Sequence, residues 1–230
     1  MNRRVLLKII PLVAGGLLIA LFLRLGFWQL DRGAQKAQLF AAFEQGLEQS
    51  PMVLDRYRPH PRYTPVRLEG RFTGPTVFLD NRTYEGRPGV HVYVVFETAA
   101  EGPAVLVNLG WRPIGPRREL PVVEYPSDGR PVRGLLTNPP PVGVRLGDGL
   151  PESGVLRVPY LELPALEERL NLQLAPQILL ATDQHPEFVR DWRPALMPPE
   201  RHQAYAFQWF SLAAAVLVII LIMQWRKRSR

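Results

Sequence analysis

The residues able to do chemistry fall into two short stretches, ERHQAYAFQWF at 200–210 and FWQLDRGAQK at 27–36. The first carries His202, Tyr205 and Trp209, spaced i, i+3 and i+7. The second carries Trp28, Arg32 and Lys36, spaced i, i+4 and i+8, with Gln29 beside them. Each spacing lines one face of a helix. A neutral imidazole coordinates metals. Three aromatic rings supply an apolar wall, and cations answer carboxylates. A haem needs an axial ligand, an apolar wall and partners for its propionates. His202 would be the ligand, Trp28, Tyr205 and Trp209 the wall, and Arg32, Lys36 and Arg201 the cations. The same residues also read as an interfacial belt of aromatic and basic side chains, which membrane helices commonly carry.

Other chemistry is thinly represented. The chain has no cysteine, which removes disulfides, zinc fingers, iron–sulfur clusters and thiolate copper sites together. Five serines occur, none in a G-x-S-x-G setting, and there is no H-E-x-x-H, P-loop or dinucleotide glycine pattern. His60 and His185 each precede a proline, and His91 alternates within a strand pattern; they read as ordinary surface or core histidines. Adjacent Glu167 and Glu168 read as solvated charges. Asn81, Arg82 and Tyr84 sit in an expected tight turn that would suit a recognition loop. Ser127-Asp128-Gly129 and Ser153-Gly154 read as turns.

The elements that must position the two stretches are apolar. Residues 9–23 are apolar throughout and 25–30 continue the run after Arg24. No small-residue cleavage site follows, so the run reads as a retained membrane helix. Gly15 and Gly16 would let another helix approach. Pro198 and Pro199 open a second apolar helix, and about 20 of its residues suffice to cross the hydrocarbon core. The formal net charge is +7, but nine basic and no acidic residues lie outside 31–200. Basicity confined to the ends is a topology signal and argues against a nucleic-acid partner. Both termini are expected in the cytoplasm, with the intervening residues on the far side.

Between the helices, residues 36–49 predict an amphipathic helix at the membrane surface, ended by Pro51. Strands are expected at 66–72, 76–79, 89–98, 104–111, 131–136, 154–158 and 177–182. Turns are expected at Thr73-Gly74-Pro75 and over 80–88, a loop over 139–149, and a short helix at 163–170. The fold class is therefore a membrane protein with two transmembrane α-helices flanking one β-rich (α+β) domain, a small antiparallel sheet or barrel. The boundaries are 5–30 for the first transmembrane helix, 31–198 for the β-rich domain, 199–225 for the second helix and 226–230 for a basic tail.

The chain resembles the Surfeit locus protein 1 family over nearly its whole length. The first-helix motif G-x-W-Q-x-x-R-x-x-x-K stands as Gly26, Trp28, Gln29, Arg32 and Lys36. The second-helix motif H-x-x-Y-A-x-x-W-F stands as His202, Tyr205, Ala206, Trp209 and Phe210. Gly70-Arg71-Phe72 resembles the family's G-x-F, and residues 107–113, VNLGWRP, its V-N-R-G-W-V-P. Leu109 departs from the family's arginine, and Glu200 and Gln203 from its asparagine and leucine. The resemblance implies an assembly factor for haem–copper terminal oxidases that is not an enzyme. It implies binding of haem a with His202 as ligand, and haem insertion into oxidase subunit I. Haem a synthase is a further candidate partner, and membrane lipid surrounds the helices. A bacterial plasma membrane is the expected location, with the main domain periplasmic. A scaffold that holds an immature oxidase subunit without binding haem is the alternative. A membrane-anchored periplasmic enzyme is a third reading, and it lacks a catalytic constellation.

Overall fold

A computed structural model describes residues 3–125, 129–141, 156–183, 185–194 and 197–228. The chain divides into two compact units, residues 1–41 with 194–230, and residues 42–193.

The first unit is a helix pair. Helix α1 runs unbroken from Arg3 to Glu48, its last residues belonging to the second unit. The expected membrane and surface helices are thus one element. The residues between them, DRGAQ, include no proline, and a lone glycine weakens a helix by only about 1 kcal/mol. Pro11 lies within the helix, as membrane helices tolerate. Helix α3 spans Pro199–Arg228. Glu200 in its first turn complements the positive end of the helix. Both helices are long and apolar enough to cross a membrane, and only 11% of the most apolar stretch of each is buried within the protein. Leu17, Phe27, Phe207 and Ile219 are among many apolar side chains left open. Such continuous apolar surface is what lipid covers. The chain is a membrane protein.

The two helices meet along a line of small residues. Gly15, Gly26 and Gly33 are buried on α1, and Ala206 and Ala213 on α3. A Cβ at Gly15 would run into Ile220, whereas one at Gly16 would meet nothing within 4 Å. A Cβ at Gly33 would stand 3.3 Å from that of His202. The order of these contacts reverses along the two helices, as an antiparallel pair requires. Small residues let backbones approach, and van der Waals contact then holds helices together in lipid.

The second unit is an eight-stranded mixed sheet. Its strands are β1 (Met52–Leu54), β2 (Pro65–Leu68), β3 (Gly70–Tyr84), β4 (Arg87–Thr98), β5 (Ala104–Pro113), β6 (Val132–Thr137), β7 (Leu156–Val158) and β8 (Leu174–Ala181). They lie in the order β1-β2-β6-β8-β5-β4-β3-β7. The pairs β1–β2, β5–β8 and β3–β7 are parallel and the others antiparallel. The β-rich class therefore holds, with a mixed sheet in place of a wholly antiparallel one.

Strand β5 explains the core. It lies inside the sheet and is buried from Ala104 to Trp111, so its near-continuous apolar run covers both faces. Val92, Val94, Val105, Val107 and Leu179 share one face with Tyr57 and Phe188. Their alternates Tyr93, Leu106, Ile178 and Leu180 are buried on the other. Helix α2, Leu163–Leu170, matches its expected bounds. Pro164 suits its first turn, and Asn171 at φ 53° closes it in the left-handed region.

Two expected turns take other forms. Thr73-Gly74-Pro75 is a bulge inside β3, with Gly74 at φ 70°, so the strand continues through it. The polar stretch 80–88 is mostly strand. Its turn is Glu85-Gly86 alone, both at positive φ, between paired Tyr84 and Arg87. That is the two-residue loop whose twist matches a hairpin. The turns read at Ser127-Asp128 and Ser153-Gly154, most of the 139–149 loop and the start of the 154–158 strand lie outside the described residues.

Candidate functional site

His202 lies in the first turns of α3, and its ring is fixed from α1. Its Nδ1 is 2.8 Å from Gln29 Oε1. An amide oxygen only accepts, so the imidazole Nδ1–H donates. The other ring nitrogen, Nε2, is buried and, among the described residues, has no hydrogen-bond partner. A buried polar atom without a partner is costly and calls for an explanation. A nitrogen with a free lone pair, on a ring held through its opposite nitrogen, has the donor chemistry of a metal ligand.

Local sequence explains why the ring and the amide meet. Gly33, one turn beyond Gln29, presents no side chain to His202 and so lets the backbones close. Farther along the same line, Trp209 stacks on Phe22 with centroids 5.7 Å apart and planes at 27°. Phe210 meets Phe27 edge-on at 5.3 Å. Both aromatic contacts join the same two helices, about two turns along α3 from His202.

Of the expected site residues, His202 and Gln29 are joined directly, and Trp209 packs in the same helix pair. Trp28 is 51% exposed and Tyr205 44% exposed. Among the described residues, no hydrogen bond, ion pair or ring contact ties Trp28, Lys36 or Tyr205 to His202. Arg32 donates to Gln35 Oε1 at 2.9 Å, and Gln35 donates in turn to Asp31 at 2.9 Å. That chain of polar groups is exposed, so the guanidinium stays at the surface. Lys36 is half-buried. Sequence reasoning missed Phe22 as the partner of Trp209 and Gly33 as the spacer at His202. The seven-residue interval from Gly26 to Gly33 was the available signal, since it places both on one helical face.

The other histidines have structural settings. His91 is half-buried, its Nδ1 3.4 Å from Asn108 Nδ2, and its ring stacks on Trp192. Burial pushes its pKa down to about 4, with the Arg82 charge adding to the shift and the Asn108 hydrogen bond opposing it. His60 belongs to a loop held by Gln177, whose amide bonds Tyr57 Oη and both backbone groups of His60. Its Nε2 is also buried without a partner. His185 accepts from the Glu187 amide at 3.4 Å and packs on Phe188. Among the described residues, no three His, Asp or Glu side chains group as a metal cage.

The polar stretch considered for recognition is engaged in the hairpin. Tyr84 packs on Trp111, and the Arg82 carbonyl accepts from Trp111 Nε1 at 2.9 Å. Glu167 does more than face solvent, since its carboxylate accepts from the Leu174 amide at 2.8 Å. Leu109 is buried in the core, and its carbonyl accepts from Arg190 Nε at 2.7 Å.

No curated protein matches the chain. The model of the SURF1 family matches residues 16–214, a range that takes in most of α1, the whole sheet, and α3 through His202, Tyr205 and Trp209. The family is one of assembly factors linked to cytochrome oxidase. With most of α1, the whole sheet, the first half of α3 and the Gln29–His202 pair inside the matched range, the chain belongs to the SURF1 family.

Proposed function

We propose that this protein holds haem a and aids its insertion into subunit I of a haem–copper oxidase, with His202 as the iron ligand. The observation that carries the reading is the buried, unpartnered Nε2 of His202 on a ring whose Nδ1 is already engaged. Phe22, Trp209 and the open apolar flanks of α1 and α3 would meet the macrocycle and its apolar tail. Arg32, Lys36 and Arg201 would meet the propionates, with Trp28 and Tyr205 as exposed rings at the same helix ends. His202 would hold the haem iron through Nε2, and the hydrogen bond of its Nδ1–H to Gln29, together with burial, would tune the affinity and potential of that iron. The chain would sit in a bacterial plasma membrane with both termini cytoplasmic. The domain between the helices would be periplasmic, within reach of an immature oxidase subunit and of haem a synthase.

The test is pigment. The full chain is purified from cells that make haem a, and its visible spectrum is recorded. A Soret band with bound haem a supports the reading. Colourless protein that still co-purifies with an oxidase intermediate overturns it in favour of a scaffold without cofactor.

A further inference from the structure

We propose that Gln29 is a positioning residue that selects the ligating nitrogen of His202 and, as a neutral acceptor, keeps that ligand weak enough to release its cargo. The inference rests on the haem reading above, and it assigns to that site the means by which binding stays reversible.

The argument starts from the pair itself. A neutral imidazole carries one hydrogen, on either nitrogen. Gln29 Oε1, at 2.8 Å from Nδ1, holds that hydrogen on Nδ1. The lone pair is thereby confined to Nε2, which is buried and, among the described residues, has no hydrogen-bond partner. Two features keep the ring in place. Gly33 leaves no side chain between α1 and His202, with the space for a Cβ only 3.3 Å from that of His202. The ring also spans from one helix to the other, so neither partner can turn without breaking the 2.8 Å bond.

The chemical type of the acceptor then matters. A carboxylate facing Nδ1–H would draw the proton toward itself and leave the ring more basic at Nε2, which strengthens its bond to a metal. A carboxamide carries no charge and pulls far less. A protein that stores a metal centre gains from the stronger ligand. A protein that passes a haem onward gains from the weaker one. Among the described residues, no carboxylate bonds to His202, and the nearest acid in sequence to Gln29, Asp31, accepts instead from Gln35.

The experiment uses the full chain in detergent with 15N-labelled histidine. Long-range 1H–15N spectra identify which imidazole nitrogen is protonated, and loss of one ring system in His202→Asn assigns the signal. Haem-free wild type is expected to show Nδ1–H and an unprotonated Nε2. Gln29→Leu is expected to lose that preference, and Gln29→Glu to keep it. With haem a added, Gln29→Leu should bind about 10–100-fold more weakly, the usual effect of removing an outer-shell partner. Gln29→Glu, which keeps the side chain's shape, should lower the iron's reduction potential and slow haem transfer to an excess of apomyoglobin by about tenfold or more. A wild-type Nε2–H tautomer overturns the proposal. Variants that match wild type in tautomer, potential and transfer rate while all bind haem a overturn it too, and leave the haem reading standing. A wild type with Nδ1–H that takes up no haem a overturns the haem reading, and with it the claim of tuned release.

Discussion

Gly26 of α1 lies against the ring of Phe210 of α3, so closely that a Cβ at position 26 would stand 2.5 Å from Phe210 Cε1. No side chain fits there without parting the helices or moving an aromatic ring that also packs on Phe27. The pair marks one point on a seam that continues to Gly15 at one end and to Gly33 and His202 at the other.

That seam gives a prediction with an internal control. Gly15→Leu and Gly26→Leu should weaken the helix pair, since overpacking a close contact costs about 1–3 kcal/mol. Gly16→Leu should be neutral, because its side chain would enter open space. Heat denaturation of the full protein in detergent separates the cases. Equal behaviour at positions 15 and 16 would contradict the packing.

The sheet should lose stability in mild acid through His91. Its folded pKa of about 4 lies below the usual 6.5, chiefly because burial disfavours the charged ring. Between those values the unfolded chain binds the proton more readily, so stability is complete above about 6.5 and falls as the pH drops toward 4. The full contribution is on the order of 3 kcal/mol. Urea unfolding at pH 7 and pH 4.5 measures it in wild type and in His91→Phe. The variant should show a shallower pH dependence over that interval. An unchanged slope would mean that other groups set it.

Topology is a separate prediction. Basic residues flank both helices on the sides nearest the termini, so both termini should be cytoplasmic and the sheet unit should lie across the membrane. A phosphatase reporter fused at Gly102 should be active and one at the C-terminus inactive, with a cytoplasmic fluorescent reporter giving the reverse. Activity on the same side at both positions would refute the orientation.

What the sequence disclosed follows from the range of the forces involved. Apolar runs revealed α1 and α3, and local end signals at Pro164 and Asn171 placed α2. Alternation and β-branched residues located most strands. The exceptions to a local reading are features decided by distant partners, and those are where expectation and structure part. Thr73-Gly74-Pro75 has the composition of a turn, yet pairing with β4 carries the strand through it as a bulge. The parallel pairing of β5 with β8 joins segments some seventy residues apart, beyond any local pattern. At the site, His202 and Gln29 stood out by type and position. Their hydrogen bond depends on the close approach at Gly33, which a helical glycine does not announce. Trp28 and Tyr205, aligned by spacing with their sites, turn out largely exposed, because spacing fixes a face and not what that face meets.

The most direct measurement of the central claim is the haem a content of purified His202→Ala, set beside wild type and Arg32→Ala at equal membrane abundance. On the proposed reading the iron bond would be the one part of the site that a single side chain supplies, while the apolar wall and the cations would be shared among several. His202→Ala should insert and fold normally, since alanine is the better helix former by a few tenths of a kcal/mol. It should lose most of its haem a, whereas Arg32→Ala should retain the greater part. A His202→Ala protein that keeps the full haem a spectrum of wild type would contradict the assignment of His202 as the ligand.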